Sequence, residues 1–131
     1  EVFCAMRSKY AMALYEVLEL RRNMDRCIET FSIERFREMM GVRADVYKIG
    51  FDFQRSVVDP AVLEVNGLSD MGVRIDMHRK HSRAPFHAVT MTWWRKSPDE
   101  LAAVIRERNR SKVGRMARLK GAVAAVTSQA R

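Results

Sequence analysis

Two short stretches of strict alternation, set either side of a basic tip, constrain this chain more than any other feature. Val73, Ile75 and Met77 alternate with Arg74, Asp76 and His78, and Val89, Met91 and Trp93 alternate with Ala88, Thr90 and Thr92. A period of two marks a strand with one buried face, so the pair predicts an antiparallel hairpin. Its tip reads Arg79-Lys80-His81-Ser82-Arg83-Ala84-Pro85, too cationic to fold inward.

Before the hairpin the apolar residues follow helical spacing. Ala11, Leu14, Tyr15 and Leu18 form one stripe, which predicts a helix over 8–22. A polar connection and a short extended piece over 29–32 follow. Ser32 is a predicted N-cap for a helix over 33–40, with Ile33, Phe36 and Met40 on its apolar face and Gly41 where a helix terminates. Asp52 is read as the cap of a third helix, in which Phe53, Val57, Ala61 and Val65 recur every four residues. Pro60 interrupts it. Either the helix kinks there, because proline removes a hydrogen bond, or Asp59 caps a fresh helix with Pro60 in first place. The stretch 66–70 reads as a turn.

The order is helix, strand, helix, helix, strand, basic hairpin, strand. That is an α+β winged helix, assigned to residues 1–96. The remainder, 97–131, reads as a basic C-terminal helical extension. Ser97-Pro98-Asp99-Glu100 is a strong helix start, with a capping serine, proline in first place and a capping-box glutamate. The helix is predicted from 98 to about 110, with continuation past Gly114 left open. The Ala-rich end, 121–131, is expected to fray.

Net charge is +8, which favours an anionic partner, nucleic acid ahead of a membrane surface. No apolar run approaches the length of a membrane span. Charges throughout 1–22 argue against a secretory leader, and Glu1 in place of Met suggests a piece of a longer protein. Cys4 and Cys27 are too few for a disulfide framework. They read as small buried hydrophobes in a reducing, cytoplasmic protein.

In a winged helix the third helix offers its polar face to the major groove, and the hairpin tip carries cations to the backbone beside it. Gln54, Arg55 and Ser56 are therefore the candidate readers of base edges. Lys48, in the turn before the helix, and Arg79, Lys80, His81 and Arg83, on the wing, are candidate phosphate contacts. Arg74 is a further candidate for the same backbone. For each of them the competing reading is an ordinary solvated surface.

Other chemistry finds little support. His78 and His81 are spaced for a helix rather than a strand end, and no cysteine or carboxylate cluster completes a metal site. A rolling-circle nuclease needs paired histidines on a strand, and His87 lacks a second histidine two residues away. Paired carboxylates, a glycine-rich phosphate loop and a Ser/His/Asp arrangement are missing too. The expectation is a binding domain without catalytic residues, metal or cofactor. Trp93 reads as core, and Trp94 as packing on the C-terminal helix or on a neighbouring domain. Arg106, Arg108, Arg110, Lys112, Arg115, Arg118 and Lys120 oppose a single acid, Glu107. They fit a solvated helix and a backbone-binding extension equally, and the apolar residues between them are too sparse for a membrane-surface helix.

Several segments, taken in register, resemble iteron-binding plasmid replication initiators. They are Ser8-Lys9-Tyr10-Ala11 with Leu14-Tyr15-Glu16 and Leu18; Tyr47; Asp52-Phe53 with Arg55; and Val57-Val58, Pro60-Ala61-Val62 and Glu64-Val65-Asn66. The basic wing, Arg79-Lys80 and Arg83, continues the likeness, which runs from Ser8 to Trp93. Such initiators have two winged-helix domains, and this stretch is similar to the second. The resemblance implies binding to double-stranded DNA at origin repeats. It also implies host initiator and replicative helicase proteins as partners, and a homodimer formed through a domain outside this chain. Where the family often has a run of arginines after the Asp-Phe pair, this chain has Gln54-Arg55-Ser56, which implies a different sequence preference. A transcription regulator would use the same surface. A protein-interaction winged helix would lack salt-dependent affinity for DNA.

Overall fold

The computed structural model describes residues 5–121. Helix α1 (Lys9–Glu19) starts where Ser8 turns its hydroxyl back to accept from the Tyr10 and Ala11 N–H groups, at 3.1 and 3.3 Å. Ahead of it, the buried Glu64 carboxylate accepts from the Arg7 N–H at 2.8 Å and the Ser8 N–H at 3.5 Å. A carboxylate at a helix N-terminus satisfies free donors and complements the helix dipole, so an acid is stable here on an otherwise apolar face.

Strand β1 (Ile28–Ser32) runs directly into helix α2 (Ile33–Met39), capped by the Ser32 hydroxyl on the Arg35 N–H at 3.1 Å. Gly41, at φ +72°, ends it, a conformation glycine adopts without penalty. Helix α3 covers residues 50–68 as three joined pieces: α-helical Gly50–Phe53, a π-turn Gln54–Val58, and α-helical Asp59–Leu68. Strands β2 (Met71–His78) and β3 (Ala88–Arg95) form the hairpin, and helix α4 (Pro98–Arg108) follows with the capping box read from its sequence. Residues 115–121 are helical again.

Several details differ from the sequence reading. Helix α3 begins at Gly50, with Ile49 in the cap position and no capping side chain, so Asp52 lies inside its first turn. At Pro60 the backbone stays helical, with Val58 and Asp59 both in the right-handed helical region, so Asp59 does not cap a fresh helix. Proline has no N–H for the Ser56 carbonyl and its ring crowds that oxygen; the helix widens by a π-turn instead, and the Asp59 N–H donates to the Gln54 carbonyl. The predicted turn over 66–70 is mostly helix, because Asn66 spends its amide on β2: its Nδ2 donates to the Val73 carbonyl at 3.0 Å and its Oδ1 accepts from the Val73 N–H at 2.8 Å. Helix α4 stops at Arg108, and Gly114, at φ +78°, turns the chain before the next helical segment. Cys27 is half-buried rather than buried, while Cys4 and residues 122–131 lie outside the described residues.

The sheet has the order β1–β3–β2 and is antiparallel throughout. Phe31 pairs with Val89, Ile75 with Met91 and Val73 with Trp93. This register turns one apolar face onto Leu14, Leu18, Phe36, Phe53, Val57 and Val65, all buried. Burying a side chain of this size contributes roughly 2 kcal/mol before entropy is set against it. Trp93 is 2 % exposed. Trp94, on the other face, covers Gly72 and donates from its indole N–H to Glu100 at 3.4 Å. No helix among the described residues is long and apolar enough to cross a membrane.

Candidate nucleic-acid interface

The inward face of α3 is fixed by Phe53, Val57, Val58 and Ala61, each at most 2 % exposed. That leaves Arg55 and Ser56 exposed and Gln54 half-buried on the outward side, all within the π-turn. The Arg55 side chain is 80 % exposed and its guanidinium pairs with Asp52 at 2.9 Å, one helical turn earlier. An ion pair this open to water is weak, so the guanidinium can exchange that carboxylate for a nucleic-acid acceptor.

The turn ahead of α3 is held by a residue that the sequence does not mark. Arg37 donates to the carbonyls of Arg43 (3.1 Å), Val46 (2.5 Å) and Tyr47 (2.8 Å), and its guanidinium lies 4.9 Å from the Phe53 ring centre. Tyr47 sits at φ +50°, a region non-glycine residues occupy only when their surroundings hold them there. The exposed Lys48 follows it directly. Lys48, Gly50 and Phe53 line one cleft together with Pro85 and Phe86 of the hairpin and Ile33 and Arg37 of α2. The turn, the start of α3 and the returning arm of the wing thus meet at one place.

The wing places its cations unequally. Lys80 and Arg83 are exposed and have no ion pair among the described residues. His81 shapes the tip: its carbonyl accepts from the Ala84 N–H at 3.0 Å and its ring Nδ1 from the Arg83 N–H at 3.3 Å. Arg79 is half-buried, 5.3 Å from the ring centres of both Phe51 and Phe86, and those rings meet edge to face at 6.0 Å. Phe86 also closes on Gly50, where a Cβ would lie 2.6 Å from its Cδ2. Neither phenylalanine emerges from periodicity, since one is an exposed helix residue and the other sits in the hairpin loop. Their signal is large aromatics beside Gly50 and Pro85, in otherwise polar surroundings.

Arg74 is not brought to this cluster. It projects from the sheet face opposite the helices, across from Thr92, and pairs with Asp76 at 3.0 Å. On that face His78 Nε2 also meets the Thr90 hydroxyl at 2.7 Å, which meets the Thr30 hydroxyl at 3.0 Å. Among the described residues no group of three or more His, Cys, Asp or Glu side chains is arranged to hold a metal ion.

The other arginine-rich region is built differently. Arg115, 3 % exposed, donates to the Glu107 carboxylate (3.2 Å) and to the carbonyls of Glu107 (3.0 Å), Ala5 (3.3 Å) and Arg110 (3.3 Å). Arg118 reaches the same carboxylate at 2.7 Å. The Arg118 hydrogen bond, then that of Arg115, holds the Glu107 carboxyl below the usual carboxylate range despite its burial. Leu119 seats this segment on α3 at Gly67, where a Cβ would lie 2.3 Å from the leucine Cδ2. Arg106, Arg110, Lys112 and Lys120 remain exposed there with no ion pair among the described residues.

Residues 32–93 match the family model described as initiator Rep protein, WH2. The matched stretch begins at the Ser32 cap and ends at Trp93, so it contains α2, α3, β2, the wing and nearly all of β3. No curated protein matches the chain.

Proposed function

Residues 32–93 belong to the initiator Rep protein family as its second winged-helix domain, and on that premise we propose that the chain binds specific double-stranded DNA at the repeats of a plasmid origin. Plasmid replication initiation and DNA binding are the work of this family; recognition of particular repeats is the proposal. One observation carries it: the Gln54-Arg55-Ser56 stretch faces outward on α3 beside a wing whose Lys80 and Arg83 are unpaired among the described residues. On this reading α3 enters the major groove. The Arg55 guanidinium suits the paired acceptors of guanine, the Gln54 amide suits adenine, and the Ser56 hydroxyl serves either. Lys48, Lys80 and Arg83 neutralise phosphates, fix the register of the helix on the duplex and supply the salt-dependent part of the affinity.

The reading assigns no catalytic residue, metal or cofactor. Host initiator and helicase proteins as partners, a dimer through a further domain, and the cytoplasm as compartment all rest on the family alone. The test is a titration of the chain against random duplex and a pool of tandem origin repeats at two salt concentrations. Repeat-selective binding that weakens with salt is the expected result. Salt-sensitive binding without selectivity would remove the base-reading role of α3, and no binding at either salt would favour a protein-interaction domain.

A further inference from the structure

We propose that Arg79, Phe51, Phe86 and Gly50 form a latch that seats the wing on the first turn of α3, so that wing and reading helix meet DNA in one fixed register. The inference rests on the duplex-binding reading above and assigns Arg79 a role distinct from that of its neighbours on the wing. Lys80 and Arg83 project into solvent, whereas the Arg79 guanidinium sits 5.3 Å from each of two ring centres. The rings come from opposite sides of the joint: Phe51 lies in α3 and Phe86 in the returning arm of the wing, and they touch edge to face at 6.0 Å and 75°. A flat guanidinium stacks on aromatic faces better than an ammonium does, and edge-to-face contact is a favoured aromatic geometry.

Gly50 supplies the third part. Phe86 approaches its backbone so closely that any Cβ would meet the ring at 2.6 Å. Glycine in the first position of a helix is otherwise a weak choice, and Gly50 has no positive φ to require it. Its bare Cα is the seat for the ring. At the base of the wing the His87 N–H donates to the His78 carbonyl and the Ile33 N–H to the His87 carbonyl. These bonds close the hairpin and hold it to α2; Asn66 ties the far end of β2 to α3, and the latch ties the tip end to its first turn. A wing ordered in advance spares the cost of ordering it on binding. Arg79 is therefore a positioning residue, and Lys80 and Arg83 make the phosphate contacts.

The test uses the full chain and the variants Gly50→Ala, Phe86→Leu and Phe86→Tyr. None changes the charge. Affinity is measured for random duplex and for the tightest-binding repeat duplex at two salts, and the Arg79 δ protons are followed by NMR in the free protein. Ring stacking shifts those protons upfield in the parent chain. In Gly50→Ala and Phe86→Leu that shift is lost, affinity for the repeat duplex falls by about tenfold, and the salt slope and melting temperature stay as they were. Phe86→Tyr, which keeps the ring, restores both shift and affinity. Unshifted Arg79 protons in the parent chain would overturn the latch. So would variants that lose the shift and still bind the repeat duplex as the parent does. A parent chain that shows the shift but binds no duplex would overturn the duplex-binding reading instead, and with it any role for the latch in binding DNA.

Discussion

Helix α3 meets an arginine-rich neighbour at each end, and the two meetings are built on opposite principles. At its first turn stands the wing, where one arginine packs against two aromatic rings while Lys80 and Arg83 face solvent. Near its last turn stands the segment 115–121, where Arg115 and Arg118 converge on the single carboxylate of Glu107 and Leu119 packs on Gly67. The same residue type thus serves a surface at one pole and a buried joint at the other. Net charge cannot locate an interface; two arginines of the far pole are already occupied by a carboxylate, and among the described residues none of the wing's cations is.

The largest effect that would sharpen this contrast is Glu107→Ala. It leaves Arg115 buried without its counter-charge, and removing one partner of a buried ion pair costs about 3 kcal/mol. Urea unfolding should show that loss, while the variant, once folded, keeps its salt-dependent affinity for duplex. A loss below roughly 0.5 kcal/mol would mean the joint is a solvated surface pair. The pH dependence has a defined sign. The folded Glu107 carboxyl lies below its usual value, so its stabilisation is present above the unfolded value, about 4.3, and is lost as pH falls through the folded value. Acid unfolding of the parent chain should therefore include a contribution that Glu107→Ala lacks.

At the other pole, Arg55→Ala should weaken binding to the repeat duplex by roughly 1–3 kcal/mol and relax one base position. Its structural partner, Asp52, is itself solvent-facing, so folding stability should change little. Equal losses on repeat and random duplex would mean that Arg55 contacts phosphate and not a base edge.

Pro60→Ala should have a smaller effect. The new N–H can reach the Ser56 carbonyl, and the π-turn can then rewind to α-helix. Because the buried valines hold the core side in place, rewinding turns Gln54, Arg55 and Ser56 to a new angle. The expected outcome is a loss of roughly 1 kcal/mol on the repeat duplex, with little change on random duplex. Amide exchange of Asp59, whose N–H donates to Gln54, reports whether the rewinding took place.

The order of elements, the capping serines Ser32 and Ser97, and the core faces of both hairpin strands were legible in the sequence because each is a local rule of spacing or of a single capping bond. Harder to read was anything decided by contacts between distant residues. Asn66 looks like a turn residue until β2 is beside it, and Glu64 looks like a solvent-facing acid until the N–H groups ahead of α1 need an acceptor. The candidate site divides in the same way. Outward placement of Arg55 and Ser56 follows from the valines opposite them. The stacking of Arg79 depends on a phenylalanine far along the chain, and the placement of Arg74 away from the wing on which sheet face the helices cover.

The smallest effect tests the comparison of the poles most directly, because it sets two exposed cations of similar environment against each other. Arg83→Ala should weaken every duplex alike and lower the slope of log affinity against log salt by about one, as expected for one lost phosphate contact. Arg106→Ala removes an equally exposed charge from α4, whose segment packs at the far end of α3. Its slope should match the parent chain within error, since exposed charges beyond a Debye length of about 10 Å are largely screened at 0.1 M salt. Equal flattening by the two variants would break the comparison. It would mean that the duplex runs along the whole of α3 and that the unpaired cations beside the Glu107 joint share in binding it.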